Sequence, residues 1–365
     1  MTSTDTAERS GASRKIRWLA IGILLFIILY SGAWFLAAHL LQGKLQAFLG
    51  DQRAAPVSVD CGGMNVAGFP FRIGLFCDTV RLDDTARGAS VSLGALRSAA
   101  QVYQPGHAVV ELDGPAQIRV SPGLSVSADW SLLHASLRAK LSGLDRLSLT
   151  YDQMAGTAVL PAFDDEANPG GTDRLAFAAR HGEVHLQQNG GDLDMAASVE
   201  GFDAKPADGA SFLPPIDGSI DLTLTDRANL MEAGGLRPGA LRGSKGEIRN
   251  LTLDLGEGMV ATSSGPFSID DQGLISGELS VTMKNIEGWR RNLVKTFSDE
   301  DETAMVNNIA NMLTALASGR KEATVKLNLR DGIAFLAFFP IGELPRLCCA
   351  LGTPLIRPSG AFFPF

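Results

Sequence analysis

His181-Gly182-Glu183-Val184-His185 sets two imidazoles four residues apart with a carboxylate between them. On a helix that spacing would turn both rings to one side, where they could ligate a metal. Gly182 and the alternating neighbours argue for a strand, on which both rings merely share a face. No Cys pair follows at zinc-ligand spacing, and no second acidic ligand stands beside them, so no metal or other cofactor is expected. Ser318-Gly319-Arg320-Lys321 fits a Ser-x-x-Lys nucleophile pattern, but it closes a helix instead of opening one and lacks its companion motifs. There is no Gly-x-Ser-x-Gly elbow and no phosphate-cradling glycine loop. The carboxylate groups Asp83-Asp84, Asp164-Asp165-Glu166 and Asp299 to Glu302 fall at turns or at a helix start, where solvation or capping accounts for them. The residue types thus point away from an enzyme. A hydrolase would need a pocket converging on His181, His185 or these carboxylates.

Four cysteines remain as candidate chemistry: Cys61, Cys77 and the adjacent pair Cys348-Cys349. Cys61 and Cys77 flank an apolar segment. They are either two buried thiols or, in an oxidising compartment, a disulfide contributing about 3 kcal/mol by closing that loop. Adjacent Cys348 and Cys349 bridge each other only with strain, so free thiols and a lipid-facing position both stay open.

The element that must place all of this is the stretch 18–42, WLAIGILLFIILYSGAWFLAAHLLQ, which carries no Asp, Glu, Lys or Arg. At 1.5 Å rise such a helix covers a hydrocarbon core of about 30 Å. Trp18, Leu24, Leu25, Phe26, Ile27, Ile28, Leu29, Trp34 and Phe35 are its expected anchor residues. Arg9, Arg14, Lys15 and Arg17 precede it, which predicts a cytoplasmic tail over 1–17 and an extracytoplasmic remainder. A cleaved signal peptide is the competing reading, since Ser31-Gly32-Ala33 and Ala37-Ala38 could be cut; its apolar core would be shorter, roughly 7–15 residues. Retention is expected, with the helix running on through a juxtamembrane segment (43–56) to stop near Gly50.

Charge agrees with that placement. The tail holds four of the chain's 32 basic and two of its 40 acidic residues, leaving 28 and 38 beyond it. A net charge near −10 on the remainder repels nucleic acid and anionic headgroups alike. Forty glycines, 17 prolines and short apolar runs indicate many turns and strands. Alternation predicts strands over 57–60, 71–80, 91–95, 118–120, 124–133, 147–149, 175–179, 183–187 and 193–199. Later strands are expected over 220–225, 248–255, 259–263, 266–269, 274–284, 323–329 and 333–338. Asn189-Gly190 and Arg330-Asp331-Gly332 read as hairpin turns. The stretch 161–172 reads as an exposed loop, and the break at 202–215 divides a first β-rich region (57–205) from a second (206–365). Residues 231–241, interrupted by glycines and Pro238, read as a short turn or helix. A stronger helix spans 299–318: Ser298 caps it, acids follow, and Met305, Ile309, Met312, Leu313 and Leu316 recur at helical spacing to pack on a sheet. The expected fold is mainly β behind an N-terminal transmembrane helix, a curved antiparallel sheet with one packed amphipathic helix. The tail 348–365 is apolar and rich in Pro and Phe; it reads as a cover for a sheet edge or groove, or as a partner contact.

Cys61-Gly-Gly-Met-Asn-Val-Ala-Gly-Phe69-Pro70-Phe71-Arg72, followed by Cys77-Asp78, resembles the signature of the uncharacterised bacterial domain-of-unknown-function family twenty-one twenty-five. Tyr103 to His107, Gly114-Pro115 and Ala128-Asp129-Trp130-Ser131 match its style. The resemblance implies an inner-membrane-anchored envelope protein and no particular activity. Gly265 to Asp270 and Pro340 to Pro345 also resemble AsmA-like envelope proteins, which implies a sheet folded into a trough whose apolar face holds acyl chains. The function expected is a non-enzymatic periplasmic protein that handles lipid in an apolar β-groove. The alternative is a structural or assembly scaffold that binds another envelope protein.

Overall fold

A computed structural model describes residues 8–52, 57–85, 88–121, 124–140, 142–161, 172–207, 209, 211, 213–232, 235, 239–296, 300–344 and 346. The chain is mostly strand, and all of it pairs antiparallel in one open sheet. Helix α1 (Glu8–Gln52) comes first, about 67 Å long at 1.5 Å per residue. It passes the expected stop near Gly50 by one half-turn.

The first strands come in collinear pairs. β1 (Val57–Gly62) runs into β2 (Asn65–Ala67), β3 (Arg72–Cys77) into β4 (Thr79–Asp84), and β5 (Ala89–Leu93) into β6 (Leu96–Gln101). β7 (Gln104–Leu112) continues as β8 (Ala116–Ser121), and β9 (Leu124–Asp129) as β10 (Leu132–Lys140). Within each pair one member joins one ladder and the other a second ladder: β1–β4–β5–β8–β9 and β2–β3–β6–β7–β10. Both ladders end on the same strand, β11 (Gly143–Pro161), which takes β10 along its first half and β9 along its second. Ten short strands are therefore five long ones, creased along a line through Gly63, Asp78, Gly94, Gly114, Trp130 and, on β11, Gln153 at φ 51°. The crease admits little side-chain bulk. A Cβ on Gly94 would lie 2.6 Å from the Gly114 carbonyl oxygen and 2.7 Å from that of Asp113. Trp130 laces the line by donating from Nε1 to the Leu112 carbonyl at 2.8 Å.

From β11 onward the sheet is a meander in chain order: β12 (Thr172–Asn189), β13 (Asp192–Pro206), β14 (Ile216–Thr225), β15 (Lys245–Asp254), β16 (Val260–Ile269), β17 (Ile275–Lys284), β18 (Glu322–Arg330), β19 (Ile333–Leu336) and β20 (Phe339–Glu343). Helices α2 (Ile286–Thr296) and α3 (Glu300–Ala317) interrupt it between β17 and β18.

The structure corrects several expected boundaries. The strands expected over 71–80 and 124–133 are each split by the crease. Those over 175–179 and 183–187 are one strand, because the ladder resumes in register beyond Arg180. The hairpin turn is Gly190-Gly191, one residue later than Asn189-Gly190, since Asn189 still pairs with Asp192. Of the stretch 231–241, read as a short turn or helix, the described residues 239–241 are turn, and a 3-10 turn at Ala228–Met231 opens the segment. Helix α2 was unforeseen; Asn285 caps it by accepting the Gly288 amide at 3.1 Å, and Gly288 and Trp289 are buried. Helix α3 stands where expected, but its buried stripe is Val306, Ala310, Leu313 and Ala317. Small Ala310 and Ala317 let that face approach the sheet, whereas Leu316 stays 50% exposed. Strands before and after 205/206 belong to the same sheet, because β13 pairs with β14. The loop 162–171, Cys348, Cys349 and the tail to 365 lie outside the described residues.

Candidate functional site

Alternation along these strands sorts the sheet into two chemically different faces. On one face a row of cross-strand neighbours crosses thirteen strands: Val66, Leu75, Ser98, Val110, Ala135, Leu149, Val184, Ala197, Ile220, Leu251, Ser263, Val281 and Val325. Twelve spacings of about 4.8 Å give it a length of roughly 58 Å. A parallel row holds Leu147, Leu186, Met195, Leu222 and Ile248; another holds Tyr151, Gly182, Val199, Gly218, Leu253, Ala261, Met283 and Ala323. Ser98 interrupts the apolar row at little cost, because its hydroxyl donates to the Leu75 carbonyl and accepts the Leu75 amide.

Gly182 now has a reason. A Cβ there would lie 2.2 Å from Tyr151 Cζ, so the phenol ring lies across β12 in the space that the missing side chain leaves. Burial on this face also raises the Tyr151 pKa above its ordinary value.

Separate elements cover parts of the apolar face. Helix α1 packs Trp34 and Ala38 onto Val66, Ile73 and Leu75. The 3-10 turn sets Leu230 and Met231 against Leu193, Leu224 and their neighbours. Helix α2 covers Leu255 and Met259 with Trp289, and α3 seats Leu313 and Ala317 on Ala323 and Val325. Between them Leu133, Ala135, Leu149, Val184, Ala197, Val199, Ile220 and Leu251 are only partly buried and join none of these clusters. Leu253 is 38% exposed. Beside the covered end, a cleft of about 500 Å³ opens between α3 and the β19–β20 hairpin, lined chiefly by Met305, Ile309, Met312, Leu336, Phe339 and Ile341.

The helix joint is specific. Tyr30 donates its hydroxyl to the Pro70 carbonyl at 2.5 Å, and Trp34 donates Nε1 to the Arg72 carbonyl at 3.1 Å. Phe69 stacks on Phe35 at 5.4 Å and meets Trp34 edge-on at 5.5 Å. Of the nine anchor residues named from the sequence, Trp34 is the one turned into the sheet. The other eight are between 52% and 71% exposed along α1. Cys61 and Cys77 form the disulfide, with Cα atoms 5.3 Å apart, tying β1 to the junction of β3 and β4.

The opposite face is polar. His181, Glu183 and His185 do share it, as a strand requires. His181 pairs through Nδ1 with Asp152 at 2.6 Å and through Nε2 with Glu183 at 3.3 Å; His185 pairs with Glu183 at 3.1 Å and Ser148 at 3.0 Å. The Asp152 bond first, then the Glu183 bond, raises the His181 pKa, and the two histidines hold Glu183 below the usual carboxylate range. Ser148, His185 and Glu183 form a short relay, but the backbone amides around Ser148 are engaged in the β10–β11–β12 ladders, so no pair of donors is free to stabilise an oxyanion there. Further along the face Arg249 bridges Asp194 and Asp221, and Arg97 bridges Glu111 and Asp113. Among the described residues no group of three or more His, Cys, Asp or Glu is arranged to hold a metal.

Residues 34–345 match the model of a bacterial family described as an uncharacterized protein conserved in bacteria (DUF2125). The chain belongs to this family. The matched segment opens at Trp34, so it contains every strand and, apart from Tyr30, the joint between α1 and the sheet. No curated protein matches the chain.

Proposed function

We propose that this member of the family is a non-enzymatic, single-pass inner-membrane protein that holds or passes lipid acyl chains along the apolar face of its sheet, with the bulk of the chain in the periplasm. The observation that carries this reading is the thirteen-strand apolar row, covered at its ends and left partly open between them. A soluble domain that leaves a contiguous apolar surface in water needs an occupant for it. Each methylene leaving water for such a face gains about 0.8 kcal/mol. An acyl chain spans half of a roughly 30 Å core, hence about four strands of the row. Retention of α1 is supported by Trp34 and Ala38, which complete a core cluster that cleavage after Ala38 would take away, and by Tyr30, whose hydrogen bond to Pro70 cleavage after Ala33 would remove. The basic residues ahead of the apolar run and the disulfide both suit a periplasmic domain.

The test is lipid analysis of the full-length protein purified in mild detergent. Wild type and a polar-face control, Ser198→Asp, are expected to retain phospholipid, and Leu149→Asp and Ile220→Asp to lose it while keeping the sheet signal in circular dichroism. Lipid-free wild-type protein would overturn the reading. The scaffold alternative draws on a different observation, the cleft beside α3 flanked by Phe338 and Phe339, 92% and 69% exposed. A single stable protein partner with no lipid would favour it.

A further inference from the structure

The loop Gly68-Phe69-Pro70-Phe71 is fastened to a part of α1 that lies within the apolar run, not beyond it. Counting from Trp18, Tyr30 is ~18 Å and Trp34 ~24 Å along the helix, both short of the roughly 30 Å needed to cross the hydrocarbon. These two residues grip the Pro70 and Arg72 carbonyls. Strand β2 reaches this depth because β1 and β2 run back along α1 from its end, bringing Val66 against Trp34 and Ala38.

What the loop shows to its surroundings fits hydrocarbon. Phe71 is 65% and Phe69 45% exposed. The neighbouring hairpin tip continues the patch: the Val102 amide donates to the Phe71 carbonyl at 3.0 Å, and Tyr103 beside it is 74% exposed. Four large apolar side chains at one corner of a water-soluble domain would be a liability. Beside an anchor helix they are continuous with a surface already in lipid. Arg72, exposed at the rim, has a stem long enough to bring its guanidinium up to the phosphates.

We infer that the Phe69–Phe71 loop and the Tyr103 tip are immersed in the outer half of the same bilayer that α1 crosses, so that the sheet's apolar face begins among acyl chains. The inference rests on α1 being a membrane anchor; it does not require that the sheet bind lipid.

The test uses the full chain in phospholipid nanodiscs, with Cys348 and Cys349 changed to Ser. Single cysteines are introduced by Phe71→Cys, Tyr103→Cys, Leu25→Cys on the anchor and Val109→Cys on the polar face, and labelled with bimane. Acyl-chain nitroxide lipids are expected to remove most of the fluorescence at positions 71, 103 and 25, with aqueous iodide leaving those positions bright. Position 109 is expected to show the reverse. Quenching of 25 by the nitroxide together with iodide quenching at 71 and 103 would overturn the immersed loop while leaving the anchor standing. Iodide quenching at 25 as well would overturn the anchor and the inference with it.

Discussion

Trp34 is the residue on which the joint between helix and sheet turns, and replacing it measures that joint. Its side chain is 7% exposed, packs on Val66, Ile73, Leu75 and Phe69, and donates one hydrogen bond. Truncating a buried Trp to Ala costs about 3–5 kcal/mol through lost transfer energy and the cavity left behind. Trp34→Phe keeps most of the ring and removes the donor, a loss of about 1 kcal/mol; Tyr30→Phe removes the Pro70 bond at a similar cost. The order expected is therefore Trp34→Ala well above Trp34→Phe and Tyr30→Phe. The assay is urea unfolding of full-length protein in mild detergent, read by the sheet band in circular dichroism, because Trp34 is itself one of four tryptophans and fluorescence would change with it. Combining Trp34→Ala with Phe69→Ala should give a coupling of about 0.5–1.5 kcal/mol, the usual value for an aromatic pair. An unchanged midpoint for Trp34→Ala would refute the reasoning, since a helix that merely tethers the sheet would not respond.

Three further outcomes follow from the same structure. Gly182→Val should destabilise the sheet by about 1–3 kcal/mol through overpacking against Tyr151, and Tyr151→Ala in the same chain should recover part of the loss in thermal unfolding. His181 has a folded-state pKa above its unfolded value of about 6.5, so its pairing with Asp152 and Glu183 stabilises fully below that pH and is lost as pH rises through the folded pKa. Glu183, held low, acts with the opposite sign and loses its contribution only as pH falls through its own folded pKa. In a plot of unfolding midpoint against pH, His181→Gln should lower the midpoint below about pH 6.5, leave it unchanged above the folded pKa, and so flatten the fall between the two. Cys61→Ser with Cys77→Ser, opening a bridge of sequence separation 16, should cost about 3 kcal/mol in denaturant, and a reductant should reproduce the shift in wild type.

The sequence carried the long apolar helix, the strand-rich class and the disulfide, because each is written in a local pattern: an unbroken apolar run, period-two alternation and two cysteines around a short loop. The crease was not legible. Trp130-Ser131 and Asp78 interrupt their strands because of what lies across the ladder, and nothing next to them in the chain announces it. Helix α2 was hidden for a related reason: Ile286-Glu287-Gly288-Trp289 follows a strand directly, and its cap, Asn285, also ends that strand's register. Gly182 was read rightly as evidence for a strand, but its partner Tyr151 lies thirty-one positions earlier and only the register brings them together.

Alternation of the kind seen at Leu147-Ser148-Leu149-Thr150-Tyr151 states that one face is apolar and is silent on what meets it. A second sheet would have answered that question in the usual way, giving a sandwich with buried inner faces. Among the described residues all strands lie side by side in one sheet, so none of them closes over Leu149, Val184 or Ile220. The covering among the described residues comes from helices and a 3-10 turn, each of which protects a few residues near one end or one margin of the rows. The partly buried middle is therefore, among the described residues, a consequence of topology, not of loose packing, and small core substitutions would not repair it. Only an added apolar surface of comparable length would. The flank that would meet such a surface first is the one already held against α1, where Val66, Ile73 and Leu75 begin the rows beside the most apolar helix in the chain.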